Sequence, residues 1–209
     1  MPSSVAENVS CSFLSSCCIY ACMTHPKPLQ EGTIATGARI GHVHLKVADI
    51  DRALQFYCGV LGFALMQKMG PQAAFISAGG YHHHIGLNTW ESQGGDPPAH
   101  GTTGLYHLAI VYPTRGDLAD ALRRVVEAGI PLDGAADHGV SEALYLRDPD
   151  DNGVELYRDR PQSEWPLDAE GRLQMFTRPL DVRGLLREAH AARLEKEAET
   201  QSTGPKDLA

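Results

Sequence analysis

Apolar and polar residues alternate along Ile40 to Val47 (IGHVHLKV) and again along Leu105 to Val111 (LYHLAIV), each time with a His near the start. Alternation with period two marks half-buried strands, and its recurrence marks an internal repeat. After the first segment, Asp49-Ile50-Asp51 supplies an N-cap signal. Ala53, Leu54, Phe56, Tyr57, Val60 and Leu61 then recur at helical spacing over a helix expected from Arg52 to Val60, and Gly62 stops it. After the second, Thr114 to Asp117 caps a helix over Leu118 to Ala128, with Leu118, Ala121, Leu122, Val125 and Val126 on one face and Gly129 at its end. Three short strands are expected behind each helix. These are Phe63 to Met69, Ala73 to Ser77 and His82 to Thr89, then Leu132 to Ala136, Glu142 to Arg147 and Val154 to Arg158.

The pattern therefore predicts an α+β fold of two tandem βαβββ modules, about 39–91 and 104–161, closing into a cup-shaped, barrel-like mixed sheet with the helices outside. Gly79-Gly80 and the run from Asp148 to Gly153 are the expected turns before each last strand. A linker from Ser92 to Thr103, rich in Gly, Asp and Pro, separates the modules and is long enough to let them pair within one chain, which is the pairing expected. Residues 1–38 are expected to be a disordered extension. Residues 162–209 are expected to add a helix from Val182 to about Glu199 and a polar tail without a core of its own.

The face assignments carry the chemistry. Val43, Leu45 and Val47 share one side of their strand and leave His42 and His44 on the other; Leu108 and Ile110 leave His107 opposite; Val154 and Leu156 leave Glu155 opposite. With the apolar faces covered by helices, His42, His107 and Glu155 come onto a shared inner surface if the cup closes. Two imidazoles and one carboxylate suit a divalent metal with open positions. The triplet lies in the expected last strand of the first module, so His82 and His84 face one way and His83 the other, and one pair points into the cup. Tyr145 lies opposite Leu144 and Leu146 on its strand, and His138 precedes it in a loop.

Composition narrows the partners. Eighteen Lys and Arg against 26 Asp and Glu give a net charge of −8, which leaves no basic surplus for nucleic acid or anionic lipid. Ten His are many for 209 residues and fall mostly in three short stretches. Four of five Cys crowd into the first 22 residues, so Cys58 alone in the body builds no disulfide framework. The run from Cys11 to Met23 fits neither a signal peptide nor a membrane span, and a start of translation at Met23 is the expectation offered for it. A cytoplasmic location is expected.

IGHVHLKVADIDRALQFYCGVLGF, YHHHIGLNTW, LYHLAI and ALYLRDPDDNGVELYRDRP together resemble the repeated motifs of the vicinal oxygen chelate superfamily of glyoxalases, bleomycin-resistance proteins and extradiol dioxygenases. The likeness runs from Arg39 to Pro161 and is nearest to the short catechol-2,3-dioxygenase-like members. It implies a metal held by His42, His107 and Glu155, Fe(II) first and Mn(II) or another divalent ion second. It implies a small aromatic catechol and O2 as substrates. It also implies catalytic roles for His84 (with His82 as the other choice), His138 and Tyr145. Glyoxalase-like isomerases carry Glu in both last strands, whereas this chain has His at that place in the first module. Non-catalytic binding members usually lack the ligands present here. A glyoxalase-like lyase or isomerase, or a binding protein, is the alternative. Two-module chains pair within one chain or exchange modules between copies, so a homo-oligomer is also compatible with the pattern.

Overall fold

The structure is a computed structural model and describes residues 34–202. The expectations for residues 1–33, including the disordered leader and the Met23 start, lie outside the described residues. Residues 40–202 lie within one compact unit.

Each module follows the expected order. In module one β1 (Val43–Lys46) leads into α1 (Ile50–Leu54), which widens into a π-helical turn over Gln55–Val60. β2 (Ala64–Met69), β3 (Ala73–Ser77) and β4 (Ile85–Asn88) follow. Asp49 caps α1 by accepting from the Arg52 N–H, which satisfies one of the donors a helix start leaves free. Module two repeats this with β5 (Leu108–Val111), α2 (Arg115–Glu127), β6 (Leu132–Asp137), β7 (Ser141–Arg147) and β8 (Gly153–Asp159). Thr114 and Asp117 form a reciprocal capping box at the head of α2. Beyond the modules come the two-residue β9 (Arg178–Pro179) and α3 (Val182–Ser202).

The strands form two separately hydrogen-bonded mixed sheets, ordered β1-β4-β3-β2 and β5-β8-β7-β6-β9. In both, the first strand of the module runs parallel to its last. This crossover is what the intervening helix makes possible. Among the described residues no ladder joins the two sheets into a barrel. Leu45, Val47, Ile85, Leu87, Leu144, Leu146, Val154 and Leu156 all turn to the helices and meet Ala53, Tyr57, Leu118, Leu122 and Val125 in one continuous core. The C-terminal helix joins that core through Leu185, which is fully buried.

The modules are tied together by the turn between β7 and β8. Asp148 accepts the hydroxyl hydrogen of buried Tyr57 on its Oδ2 at 2.9 Å, and its Oδ1 accepts the N–H groups of Asp150 and Asn152. Asp150 Oδ1 in turn accepts the Ala48 N–H at 2.8 Å and the Arg52 guanidinium at 2.5 Å. Thus a turn of module two closes over the strand-to-helix junction of module one. Burial pushes the Asp148 carboxyl up despite the hydrogen bonds from Asn152 and Tyr57, and burial first, then the Asp148 charge, push the Tyr57 phenol well up.

Two measurements check this join. Tyr57→Phe removes one buried donor to a charged acceptor and is expected to cost about 1–2 kcal/mol in urea unfolding. Because the folded Asp148 carboxyl binds its proton more tightly than the unfolded one, stability contributed at this site falls as pH rises from the ordinary carboxylate value near ~4 through the raised value. The stability gap between wild type and Asp148→Asn should therefore move in the variant's favour over that window, and a pH-independent gap would contradict the assignment.

Candidate metal and substrate site

Turning the apolar side of every strand to the helices leaves a polar face on each sheet. Register fixes which residues share it. In module two Ala109, Glu155, Tyr145 and Gly134 lie in one row across β5, β8, β7 and β6. His107 stands just before β5, and its Nε2 lies 3.0 Å from Glu155 Oε2. Tyr145 donates its hydroxyl hydrogen to Glu155 Oε1 at 3.2 Å, and His138 Nε2 lies 2.8 Å from the same hydroxyl. On its other side His138 Nδ1 is 3.2 Å from both the Phe176 carbonyl and the Thr177 hydroxyl, so the segment before β9 anchors it. Burial, then the Glu155 charge, push the Tyr145 phenol up to about 12, which keeps its proton on oxygen at neutral pH.

Gly153 is required by this geometry. A Cβ there would stand 2.0 Å from the Tyr106 carbonyl oxygen and 3.0 Å from His107 Cβ, so only glycine lets β5 approach β8 closely enough to set His107 against Glu155. A cavity of about 330 Å³ opens beside the pair, lined by Tyr106, His107, Tyr145, Arg147 and Gly153 among others.

The face of module one carries His42, His44 and, across the sheet, Gly86 and Phe75. Gly86 makes room for His44, since a Cβ there would sit 3.0 Å from the imidazole ring. The strand expected from His82 begins only at Ile85, so alternation does not govern the His triplet. His83 was expected to face away from its neighbours. It instead packs on His42 with ring centroids 4.6 Å apart, and on Phe75 at 5.0 Å. His82 Nδ1 lies 2.7 Å from His83 Nδ1. His84 Nδ1 sits 3.1 Å from the Ser77 hydroxyl and accepts the Ala78 N–H at 3.3 Å. With Nδ1 accepting, a neutral His84 carries its proton on Nε2. Burial and the neighbouring imidazoles hold His83 and His44 below the ordinary histidine range. His83, His44 and the Trp90 ring, tilted against His44 with centroids 5.4 Å apart, were not singled out from the sequence for this site. Only the shared parity of His42 and His44 signalled any of them.

Of the expected ligands, the chain brings His107 and Glu155 together, with Tyr145 and His138 behind them. His42 belongs to the other cluster. Among the described residues no group of three or more His, Cys, Asp and Glu is gathered closely enough to hold a metal. The two converging donors, His107 and Glu155, fit adjacent positions on a divalent ion.

The fold agrees with the comparisons to known proteins. Residues 39–156 match the model of the Glyoxalase/Bleomycin resistance protein/Dioxygenase superfamily. The chain belongs to this superfamily of vicinal oxygen chelate proteins. It is 44% identical over 158 residues to the catechol-2,3-dioxygenase of Bacillus subtilis, covering 75% of this chain and 54% of that protein. With biphenyl-2,3-diol 1,2-dioxygenase 3 of Rhodococcus globerulus it shares 35% identity over 123 residues, 58% of this chain and 63% of the relative. The chain thus spans less than two thirds of either relative's length. A glyoxalase/dioxygenase crystal structure from Nostoc punctiforme superposes with a TM-score of 0.51 at 20% identity, covering 62% of this chain and 98% of that one, a likeness of fold. Among the described residues no helix is long and apolar enough to cross a membrane.

Because Tyr145 orients Glu155, Tyr145→Phe is expected to weaken Mn(II) or Fe(II) binding by roughly 10–100-fold in anaerobic titration calorimetry. An unchanged affinity would mean the hydroxyl does not act on the ligand.

Proposed function

We propose that the chain is a divalent-metal extradiol dioxygenase that cleaves a catechol-type ring. The observation that carries this reading is the His107–Glu155 pair, 3.0 Å apart and backed by Tyr145 and His138, in a chain 44% and 35% identical to relatives named as catechol and biphenyl-diol dioxygenases, against 28% for one named as a probable lactoylglutathione lyase. His42, His107 and Glu155 are the ligands proposed. Fe(II), or Mn(II) after it, is the ion this donor set suits, and its chemistry when bound is to gather two vicinal oxygens and O2 and make the phenol more acidic.

The protein's own residues have separable tasks. Tyr145 keeps its proton, so it donates a hydrogen bond, either to Glu155 as here or to a ring oxygen. His138, 2.8 Å from that hydroxyl, holds it in place. His84 accepts the Ala78 N–H on Nδ1, so its Nε2–H is placed to donate a hydrogen bond to a ring oxygen, and taking the proton of the second ring hydroxyl on Nε2 requires the ring first to leave Ala78 and adopt the Nδ1–H tautomer. His82 is the second choice, and its contact with His83 ties it to the His42 cluster instead. The small aromatic fits a face whose apolar members are Phe75 and Trp90. Glyoxalase-like proton transfer uses a second last-strand carboxylate, and here Ile85 to Asn88 supplies none.

Anaerobic reconstitution with Fe(II), then catechol, then oxygen, followed by ultraviolet-visible absorption, tests the reading. A coloured ring-cleavage product that vanishes with Glu155→Ala is expected, whereas metal uptake without product across several catechols would replace it with another vicinal oxygen chelate activity. His84→Ala is expected to lower kcat by roughly 10²–10⁴-fold with metal still bound. Full turnover in that variant would remove His84 from the scheme.

A further inference from the structure

The segment that follows β8 reaches back onto the site at one point. β9 pairs with the end of β6, Pro179 opposite Ala136 and Arg178 opposite Asp137, so the residues just before it pass over the β6–β7 loop that carries His138. The Phe176 N–H donates to the His138 carbonyl at 3.3 Å. Gly139, with φ at +79°, lies against the Phe176 ring and Pro166, and a Cβ there would stand 2.7 and 2.8 Å from them. The Arg178 guanidinium lies over the same ring, 4.1 Å from its centroid. Phe176 and Thr177 are beyond residue 156, where the superfamily match ends. They bring two groups to His138 Nδ1, the Phe176 carbonyl oxygen and the Thr177 hydroxyl, both at 3.2 Å. These two make opposite demands. A carbonyl only accepts, so it calls for Nδ1–H, whereas a hydroxyl can donate and so can serve a bare Nδ1.

The number of hydrogens along this row of contacts decides between them. The Tyr145 phenol has one hydrogen and gives it to Glu155 at 3.2 Å. The 2.8 Å contact between Tyr145 and His138 must then be donated by the ring, from Nε2–H. A neutral imidazole has a single N–H, so Nδ1 is bare, and of its two neighbours only Thr177 has a hydrogen to give. We propose that Thr177 is a positioning residue: its hydroxyl donates to His138 Nδ1, holds the ring in the Nε2–H form and so keeps the Tyr145 hydrogen directed at Glu155. Without that hydroxyl the Phe176 carbonyl draws the ring hydrogen to Nδ1, Nε2 becomes an acceptor, and Tyr145 turns its hydrogen from Glu155 to His138. A single hydroxyl outside the two modules thereby sets which partner the phenol serves. The inference rests on the proposed function only for the reaction that Glu155 and Tyr145 would serve; the order of the hydrogen bonds stands on the contacts alone.

The ring form is read directly in the metal-free protein. Wild-type, Thr177→Val and Thr177→Ser chains, isotope-labelled at the histidine ring nitrogens, are compared by long-range proton–nitrogen NMR, and the His138 signals are identified by their loss in His138→Gln. Wild type and Thr177→Ser are expected to carry the hydrogen on Nε2 with Nδ1 bare. Thr177→Val keeps the shape of the side chain without the donor and is expected to move the hydrogen to Nδ1. A wild-type ring with hydrogen on Nδ1, or on both nitrogens, overturns the proposal, and that result needs no variant of Thr177 to fold. A Thr177→Val ring that keeps the wild-type form overturns it as well. Anaerobic Mn(II) titration gives a second readout. Thr177→Val is expected to weaken binding roughly 10-fold, Thr177→Ser to leave it unchanged, and Thr177→Val added to Tyr145→Phe to cost nothing further, because both act through one hydrogen bond to Glu155. Losses that add would contradict that shared route. An Nε2–H ring in a protein that takes up metal but cleaves no catechol would fail the dioxygenase reading and leave the Thr177 assignment standing, while ring cleavage by a protein whose His138 carries Nδ1–H would do the reverse.

Discussion

Asp148 is a buried carboxylate that accepts four hydrogen bonds, from Tyr57, Asp150 and the Asn152 backbone and side chain. A buried charge survives only when its lone pairs are occupied, so all of these donors are held in place together. The consequence is a turn with one allowed shape. Asp151 adopts a left-handed conformation within it, Asp150 is aimed at Ala48 and Arg52, and Gly153 enters β8 where the Tyr106 carbonyl passes. One set of hydrogen bonds therefore fixes both the orientation of the two modules and the approach of His107 to Glu155.

A second buried carboxylate organises the opposite side. Glu142 on the helix-facing side of β7 accepts from Arg115 and Arg158 at 2.9 Å and from Arg160 at 3.2 Å. Arg115 also pairs with Glu188 of α3, and Leu185 of the same helix lies in the core. The segment after the superfamily match is thus joined to the modules by charge and by apolar packing. It contributes to the site through the residues before β9, whose Phe176 carbonyl and Thr177 hydroxyl hold His138.

The site itself is a product of strand parity applied twice. Each sheet commits one face to helices, and its other face is then free to collect groups that water would otherwise solvate. Module two gathers an acid, a phenol and two imidazoles in hydrogen-bonding reach, while module one gathers imidazoles and aromatic rings. One scaffold can serve many reactions, so superfamily membership describes the frame and the polar faces decide the chemistry.

Much of this was legible in the residue order. Period-two alternation with a His at each start, helix caps at Asp49 and Thr114, and the Gly stops specified two βαβββ modules, because these signals are local and each agrees with its neighbours. Parity also put Glu155 and Tyr145 on one face and Leu144, Leu146 and Leu156 on the other, and a helix was rightly expected from Val182. The His triplet escaped because parity holds only inside a strand, and the ladder begins at Ile85. Gly153 and Gly86 read as ordinary glycines until the Tyr106 carbonyl and the His44 ring were found against them. What tertiary structure alone decided is the relation between modules: whether His42 meets His107 and Glu155 depends on where the β7–β8 turn docks. That is set by Tyr57, Ala48 and Arg52, residues about a hundred positions away from the turn in the chain, whose pairing no local pattern encodes.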